Sequence, residues 1–238
     1  MIKTPADSPP ESPTTARQLA RDEMERRILA SARRQLADVG PARLSLRAVT
    51  RDIGVASSAV YRYVASRDEL ITRLILQVFG ELGDEVEQAA EAAAPDAATQ
   101  WRTWATTLRR WALDHPFDWA LVYGTPIPGY TAPQATIDPA TRVNAPVLGL
   151  PGFAAEDLGP DEAETAASLQ PLAEIIRASD HEPASPGTTF AMMTAWSAVH
   201  GFINLELGGH FVGAMEKTDP VFDTLLRRLV RDFGLERT

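Results

Sequence analysis

The sequence predicts an all-α chain. Three observations carry the prediction. Apolar residues recur at three- and four-residue spacing through most segments, no alternating run is long enough for a strand, and glycines and prolines punctuate the helical stretches.

In order, residues 1–15 read as a flexible tail, with Pro5, Pro9, Pro10 and Pro13 among small polar residues. A helix from about Arg17 carries Met24, Ile28, Ala32, Leu36 and Val39 on one face, and Gly40-Pro41 stops it. Ser45 is placed to cap a short helix with Leu46, Val49 and Ile53 on its apolar face, closed by Gly54. A second short helix follows from about Ala56 to Tyr63. Ser66 and Glu69 have capping-box spacing and open a long helix carrying Ile71, Ile75, Val78 and Leu82. Trp101, Ala105, Leu108 and Ala112 mark the next helix, which runs to His115-Pro116, with Phe117 to Tyr123 as a short continuation. Six of the 18 prolines fall between Gly124 and Gly152, which predicts mostly loop with one short helix. Helix over 161–178, broken near Pro171, helix over 188–211, and a last helix from Asp219-Pro220 to Gly234 complete the reading.

Composition narrows the function classes. The 238 residues hold no cysteine, so there is no disulfide framework or thiolate metal site. The polar, proline-rich start has no apolar export segment, and the chain reads as cytoplasmic. Pro183 to Leu205 carries no charge, but its Ser, Thr, His and Asn residues suit burial in protein rather than a membrane. The net charge of −9 hides a dipole: residues 16–79 sum to +5 and residues 80–238 to −13. A basic front end on an acidic chain suits a polyanionic partner for one part only.

Residues 45–64, SLRAVTRDIGVASSAVYRYV, read as helix, tight turn, helix. In a helix-turn-helix the first helix braces across the phosphates and the second lies in the major groove. Gly54 supplies the left-handed backbone that a tight turn needs. Ser57, Ser58 and Ala59 are small enough for close approach to a groove floor, and Tyr61, Arg62 and Tyr63 follow with long donors. The same short pair can also be purely structural, in a helical ligand-binding or scaffolding protein.

Residues 17–79, with the string LSLRAVTRDIGVASSAVYRYVASRDELI, resemble the DNA-binding domain of the tetracycline-repressor (TetR) family of bacterial regulators. Where this chain has Tyr63 the family commonly has His or Phe. The resemblance implies that Arg47 reaches the groove from the first short helix. It also implies that Ser57, Ser58 and Arg62 face bases, with Tyr61, Tyr63 and Arg67 on phosphates. WALDHPFDWALVYGTPIPGY and the later WSAVHGF, with Trp196, His200 and Gly201, resemble a C-terminal domain of part of that family, named for its Trp-His-Gly signature. This second likeness implies a homodimer and a pocket for a small-molecule effector.

The expected architecture is therefore an N-terminal three-helix DNA-binding domain with its helix-turn-helix over 16–65, then a helical ligand-binding and dimerisation domain over 66–238. The expected function is a ligand-responsive regulator, a repressor, that binds a pseudo-palindromic double-stranded operator as a dimer and is released by a small molecule. Candidate ligand-binding residues are Trp104, Trp111, Trp119, Tyr123, Met193, Trp196, Ser197, His200 and Asn204. The same residues could instead fill the core or a dimer interface, where buried His200 and Asn204 would need hydrogen-bond partners. The acidic charge disfavours anionic ligands and the aromatics favour an apolar or cationic one. Glu206 and His210 lie i,i+4 without an evident third metal ligand, and no nucleophile motif, phosphate loop or HExxH is present. Neither catalysis, a cofactor nor a metal is expected, and no membrane partner.

Overall fold

The computed structural model describes residues 16–148, 150, 158–178 and 185–237. The tail expected over 1–15 lies outside them. Every regular element among the described residues is helical.

Helix α1 (Ala16–Val39) buries Ile28, Ser31, Ala32 and Leu36, and Gly40 ends it at φ 73°. Helix α2 (Leu46–Ile53) packs across α1 through Leu46, Val49 and Thr50. Ser45 stands at its cap position, but its hydroxyl makes no cap bond; its amide donates to Gln35 Oε1 at 3.3 Å, which fixes the entry to α2 from α1. Gly54 takes φ 72°, ψ 31° and turns the chain into α3 (Ser57–Val60). The helix expected to reach Tyr63 is α-helical only to Val60. Residues 61–63 continue as turns, with the Tyr63 amide donating to the Val60 carbonyl at 2.8 Å.

Helix α4 (Arg67–Ala92) is the spine. Ser66 Oγ accepts from the Glu69 amide at 3.1 Å, and the Glu69 carboxylate accepts from the Ala65 amide at 2.6 Å, so the expected cap forms with its return bond one residue early. That backbone bond holds the Glu69 carboxyl below its usual range. Apolar residues from Leu70 to Val86 face inward against α1, α5 (Ala97–Asp114), α6 (Pro116–Tyr123) and α7 (Ile137–Leu148). A Cβ at Gly83 would sit 3.3 Å from the Arg142 guanidinium, so glycine lets α7 lie close on α4.

The segment expected to be mostly loop thus contains the twelve-residue helix α7. Its prolines stand where a helix tolerates them. Pro139 is in the first turn, where amides lack helical acceptors, and Pro146 forfeits one bond near the last turn. Helices α8 (Ala163–Ser168) and α9 (Gln170–Ala178) part at Leu169, so the expected break falls two residues before Pro171.

The uncharged stretch becomes α10 (Pro186–Leu207), capped by Ser185 and burying Ala191, Ala195, Val199, His200, Phe202 and Ile203. Among the described residues no helix is long and apolar enough to cross a membrane. Arg109 joins α5 to α10 and to α11 (Asp219–Asp232), bonding Glu206 and Asp219 at 2.7 Å and standing 5.0 Å over the Phe222 ring. Glu206 is therefore an ion-pair partner, held below the usual carboxylate range by Arg109. Among the described residues no cluster of three His, Asp or Glu side chains could hold a metal.

Candidate nucleic-acid interface and cavity

Ion pairing separates the N-terminal arginines into two groups. Arg21, Arg26, Arg33, Arg34 and Arg73 pair with acids. Arg34 and Ser31 both bond Asp52 at 2.6 Å, and Arg27 donates to the Ile53 carbonyl at 3.0 Å, so α1 grips the far end of α2. Arg47 on α2 and Arg62 after α3 are exposed, and among the described residues no acid pairs with either. Arg51, one helical turn beyond Arg47, shares both properties and was missed in the sequence, although i,i+4 spacing places it on the Arg47 face.

Ser57 and Ser58 are exposed at the start of α3, and Tyr61 is 48% exposed. Ser57 Oγ lies 3.5 Å from Thr50 Oγ1. Two other predicted residues sit deeper. Tyr63 is half-buried against the core with the Arg21 guanidinium 5.6 Å from its ring centroid. Arg67 is half-buried too, and its guanidinium donates to the carbonyls of Leu44, Pro41 and Ala42 at 3.0, 3.1 and 3.0 Å. In the DNA-free chain the Arg67 guanidinium is thus occupied by backbone carbonyls. It ties the first turn of α4 to the loop that leads into α2.

A cavity of about 700 Å³ opens among α4, α5, the end of α6 and its following loop, α7, α9 and α10. Of the nine expected ligand residues, Met193 and Trp196 line it. Trp196 is 36% exposed, donates from Nε1 to Asn144 Oδ1 at 3.1 Å, and stacks on His200 with ring centroids 3.9 Å apart.

The other seven do not reach the wall. Trp104 is buried and its indole donates to the Val143 carbonyl at 3.0 Å. Trp111 is buried and stacks on His115. The Trp119 indole donates to Asn204 Oδ1 at 2.9 Å, and the Asn204 amide donates to the Tyr123 carbonyl at 3.4 Å. Tyr123 meets His200 edge-on at 4.7 Å, and Ser197 lies on the exposed surface of α10. Trp104, Trp111 and Trp119 are buried in the core rather than on the cavity wall. His200 Nδ1 donates to the Trp196 carbonyl at 3.0 Å, and burial pushes its pKa down to about 4, so the ring is neutral at pH 7. Among the described residues, His200 Nε2 and the Tyr123 hydroxyl are buried and have no hydrogen-bond partner.

The wall residues that sequence reasoning missed come mainly from α4, as Ile75 and Phe79, and from the proline-rich stretch, as Tyr130, Thr141 and Asn144. Ile75 was already on the apolar face of its helix. Tyr130 Oη shares a hydrogen bond with Thr72 Oγ1 on α4 at 2.9 Å.

An exposed helix-turn-helix whose Arg47, Arg51 and Arg62 pair with no acid among the described residues, joined by one long helix to a cavity-bearing helical domain, defines a DNA-binding architecture. The model of the tetR family of bacterial regulatory proteins matches residues 28–74, and that of a tetracyclin repressor-like C-terminal domain matches residues 101–229. The HTH-type transcriptional regulators Rv1816 of Mycobacterium tuberculosis and Mb1846 of Mycobacterium bovis are each 39% identical over 217 residues, covering 89% of this chain and 92% of theirs. The solved structure of the regulatory protein SCO4313 is 30% identical with a TM-score of 0.71, covering 91% of this chain and 99% of that one. A protein from Rhodococcus sp. RHA1, 23% identical with a TM-score of 0.62, shares the fold over 89% of this chain and 95% of its own. The chain belongs to the TetR family of transcriptional regulators, with a DNA-binding helix-turn-helix; its family and relatives are regulators, not enzymes.

Proposed function

We propose that this regulator is a repressor that binds a pseudo-palindromic operator as a homodimer and is released when a small molecule fills the cavity. The observation that carries this reading is the double attachment of α4. Arg67 in its first turn is bonded to the loop before α2, while Ile75 and Phe79 on the same helix are cavity wall. Twelve residues of helix separate Arg67 from Phe79, about 18 Å of continuous rod. A ligand that fits only one position of α4 shifts the balance between DNA-competent and DNA-incompetent arrangements.

Within the interface, Arg47, Ser57, Ser58 and Arg62 face bases, and Tyr61 and Arg51 reach phosphates. Tyr63 and Arg67 position the surface from behind. In the dimer, two α3 segments enter successive major grooves about 34–36 Å apart. The uncharged exposed residues of α10, Phe190, Thr194, Ser197 and Leu205, together with Val221 on α11, support a self-complementary face there.

The test is fluorescence anisotropy on DNA from upstream of the gene itself, against a scrambled duplex, between about 50 and 200 mM salt. Selective binding that weakens steeply with salt is expected, and Arg47→Ala is expected to cut selectivity. Binding that ignores sequence on every upstream fragment, unchanged by Arg47→Ala and Arg62→Ala, sinks the operator reading. Sedimentation that gives a monomer on and off DNA sinks the dimer.

A further inference from the structure

We propose that the cavity selects a predominantly apolar ligand without anionic groups and rejects carboxylates and phosphates. This deepens the ligand-release reading above and rests on it for the cavity's role. Among the described residues the wall contains no Asp, Glu, Lys, Arg or His. A ligand anion would lose hydration there and meet no Lys, Arg or His among the described wall residues, and an unpaired ion in an apolar site is strongly disfavoured.

Three arginines of the helical domain and its junction with α1 are already matched to acids. Arg142, next to the wall residue Thr141, bonds Glu87 and Asp84 on α4. Arg33 is held by Glu81 and Asp118, and Arg109 by Glu206 and Asp219. Helix α7 starts on the wall at Ile137, yet its first turn already carries the Asp138 carboxylate, which occupies the place an anion would take at a helix start. Trp101, Trp196, Phe79 and Tyr130 bring aromatic rings to the wall, on which an apolar or aromatic skeleton can pack.

Polar wall atoms are mostly engaged as well. Tyr130 is bonded to Thr72, Trp196 to Asn144, the Asn144 amide to the Ala140 carbonyl, and Thr136 to the Pro133 carbonyl. Thr125 and Thr141 contribute the remaining side-chain hydroxyls, enough to orient one or two polar groups on an apolar skeleton. The volume of about 700 Å³ is that of a drug-sized molecule.

Two fluorescent probes share one skeleton and differ in charge: N-phenyl-1-naphthylamine is neutral, and 8-anilinonaphthalene-1-sulfonate is anionic. Titrated into the full chain, the neutral probe is expected to bind at least about ten-fold more tightly. Ala140→Trp fills space at the wall on α7 and is expected to weaken the neutral probe by a similar factor, with helical circular dichroism and melting temperature retained. Sulfonate binding as tight as that of the neutral probe overturns the proposal. So does neutral-probe binding unaffected by Ala140→Trp in a folded variant, or no saturable binding of the neutral probe. Operator release is read separately: selective probe binding without release counts against the repressor mechanism and leaves the ligand class standing.

Discussion

Arg33 holds the most heavily bonded ion cluster between the DNA-binding helices and the rest of the molecule. From α1 it makes two bonds to Glu81 on α4, at 2.9 and 2.7 Å, and three to Asp118 on α6, at 3.0, 3.0 and 2.7 Å. Asp118 is 6% exposed, so Arg33→Ala strands a carboxylate in the protein interior. Removing one partner of a fully buried pair costs about 3–5 kcal/mol. Two features reduce that figure here. The Arg33 and Glu81 side chains are 28% and 40% exposed, and Asp118 lies in the first turn of α6, where the helix dipole favours a carboxylate. A loss of about 2–3 kcal/mol follows, or roughly 5–10 °C in Tm for a chain of this size. Asp118→Asn in the Arg33→Ala background should restore much of it, giving a coupling of about 1.5–2 kcal/mol in a double-mutant cycle. The assay is urea unfolding at fixed protein concentration, because self-association would otherwise shift the midpoints. A loss below about 0.5 kcal/mol for Arg33→Ala, or zero coupling in the cycle, would refute the reasoning.

Three more outcomes are expected. Unfolded His200 takes up a proton near its ordinary 6.5 whereas the folded ring stays neutral down to about 4, so the unfolded state binds more protons between those values and stability falls as pH drops. From pH 7.5 to 5 that loss is about 2 kcal/mol per chain by urea unfolding, and His200→Gln should flatten it; an unchanged pH slope in that variant contradicts the burial argument. A Cβ at Gly201 meets nothing within 4 Å in one chain, so Gly201→Ala should stabilise an isolated chain by up to about 1 kcal/mol. In a homodimer packed through that face it should instead raise the dimer dissociation constant, read by sedimentation equilibrium. Arg67→Ala should weaken operator binding with little change in the salt slope, since its donors hold backbone rather than phosphates. A slope reduced by about one unit would return Arg67 to the phosphate contacts.

The N-terminal half was legible because its signals are local. Helical spacing from Met24 to Val39, Gly40, Gly54 and the Ser66–Glu69 cap each settle one boundary without reference to distant residues. The one short helix expected between Gly124 and Gly152 could not be given bounds, because two prolines in twelve residues look like loop and their harmless placement emerges only once the ends of α7 are known. The cavity wall was harder still. The indoles of Trp104 and Trp196, one in the core and one on the wall, find their acceptors at Val143 and Asn144 on that same helix. The backbone contacts of Arg67 are non-local in the same way: the carbonyls that engage it lie more than twenty positions earlier.

The distribution of the five indoles has an optical consequence. Trp101, Trp104, Trp111 and Trp119 are 1–2% exposed, whereas Trp196, on the cavity wall, is 36% exposed. Water-relaxed emission at the red edge of the spectrum therefore comes chiefly from one indole, and four shielded ones supply a blue background. A molecule that displaces water from Trp196 shifts the red edge, while Trp104, Trp111 and Trp119, which do not line the cavity, keep their background. The unlabelled protein carries its own occupancy gauge.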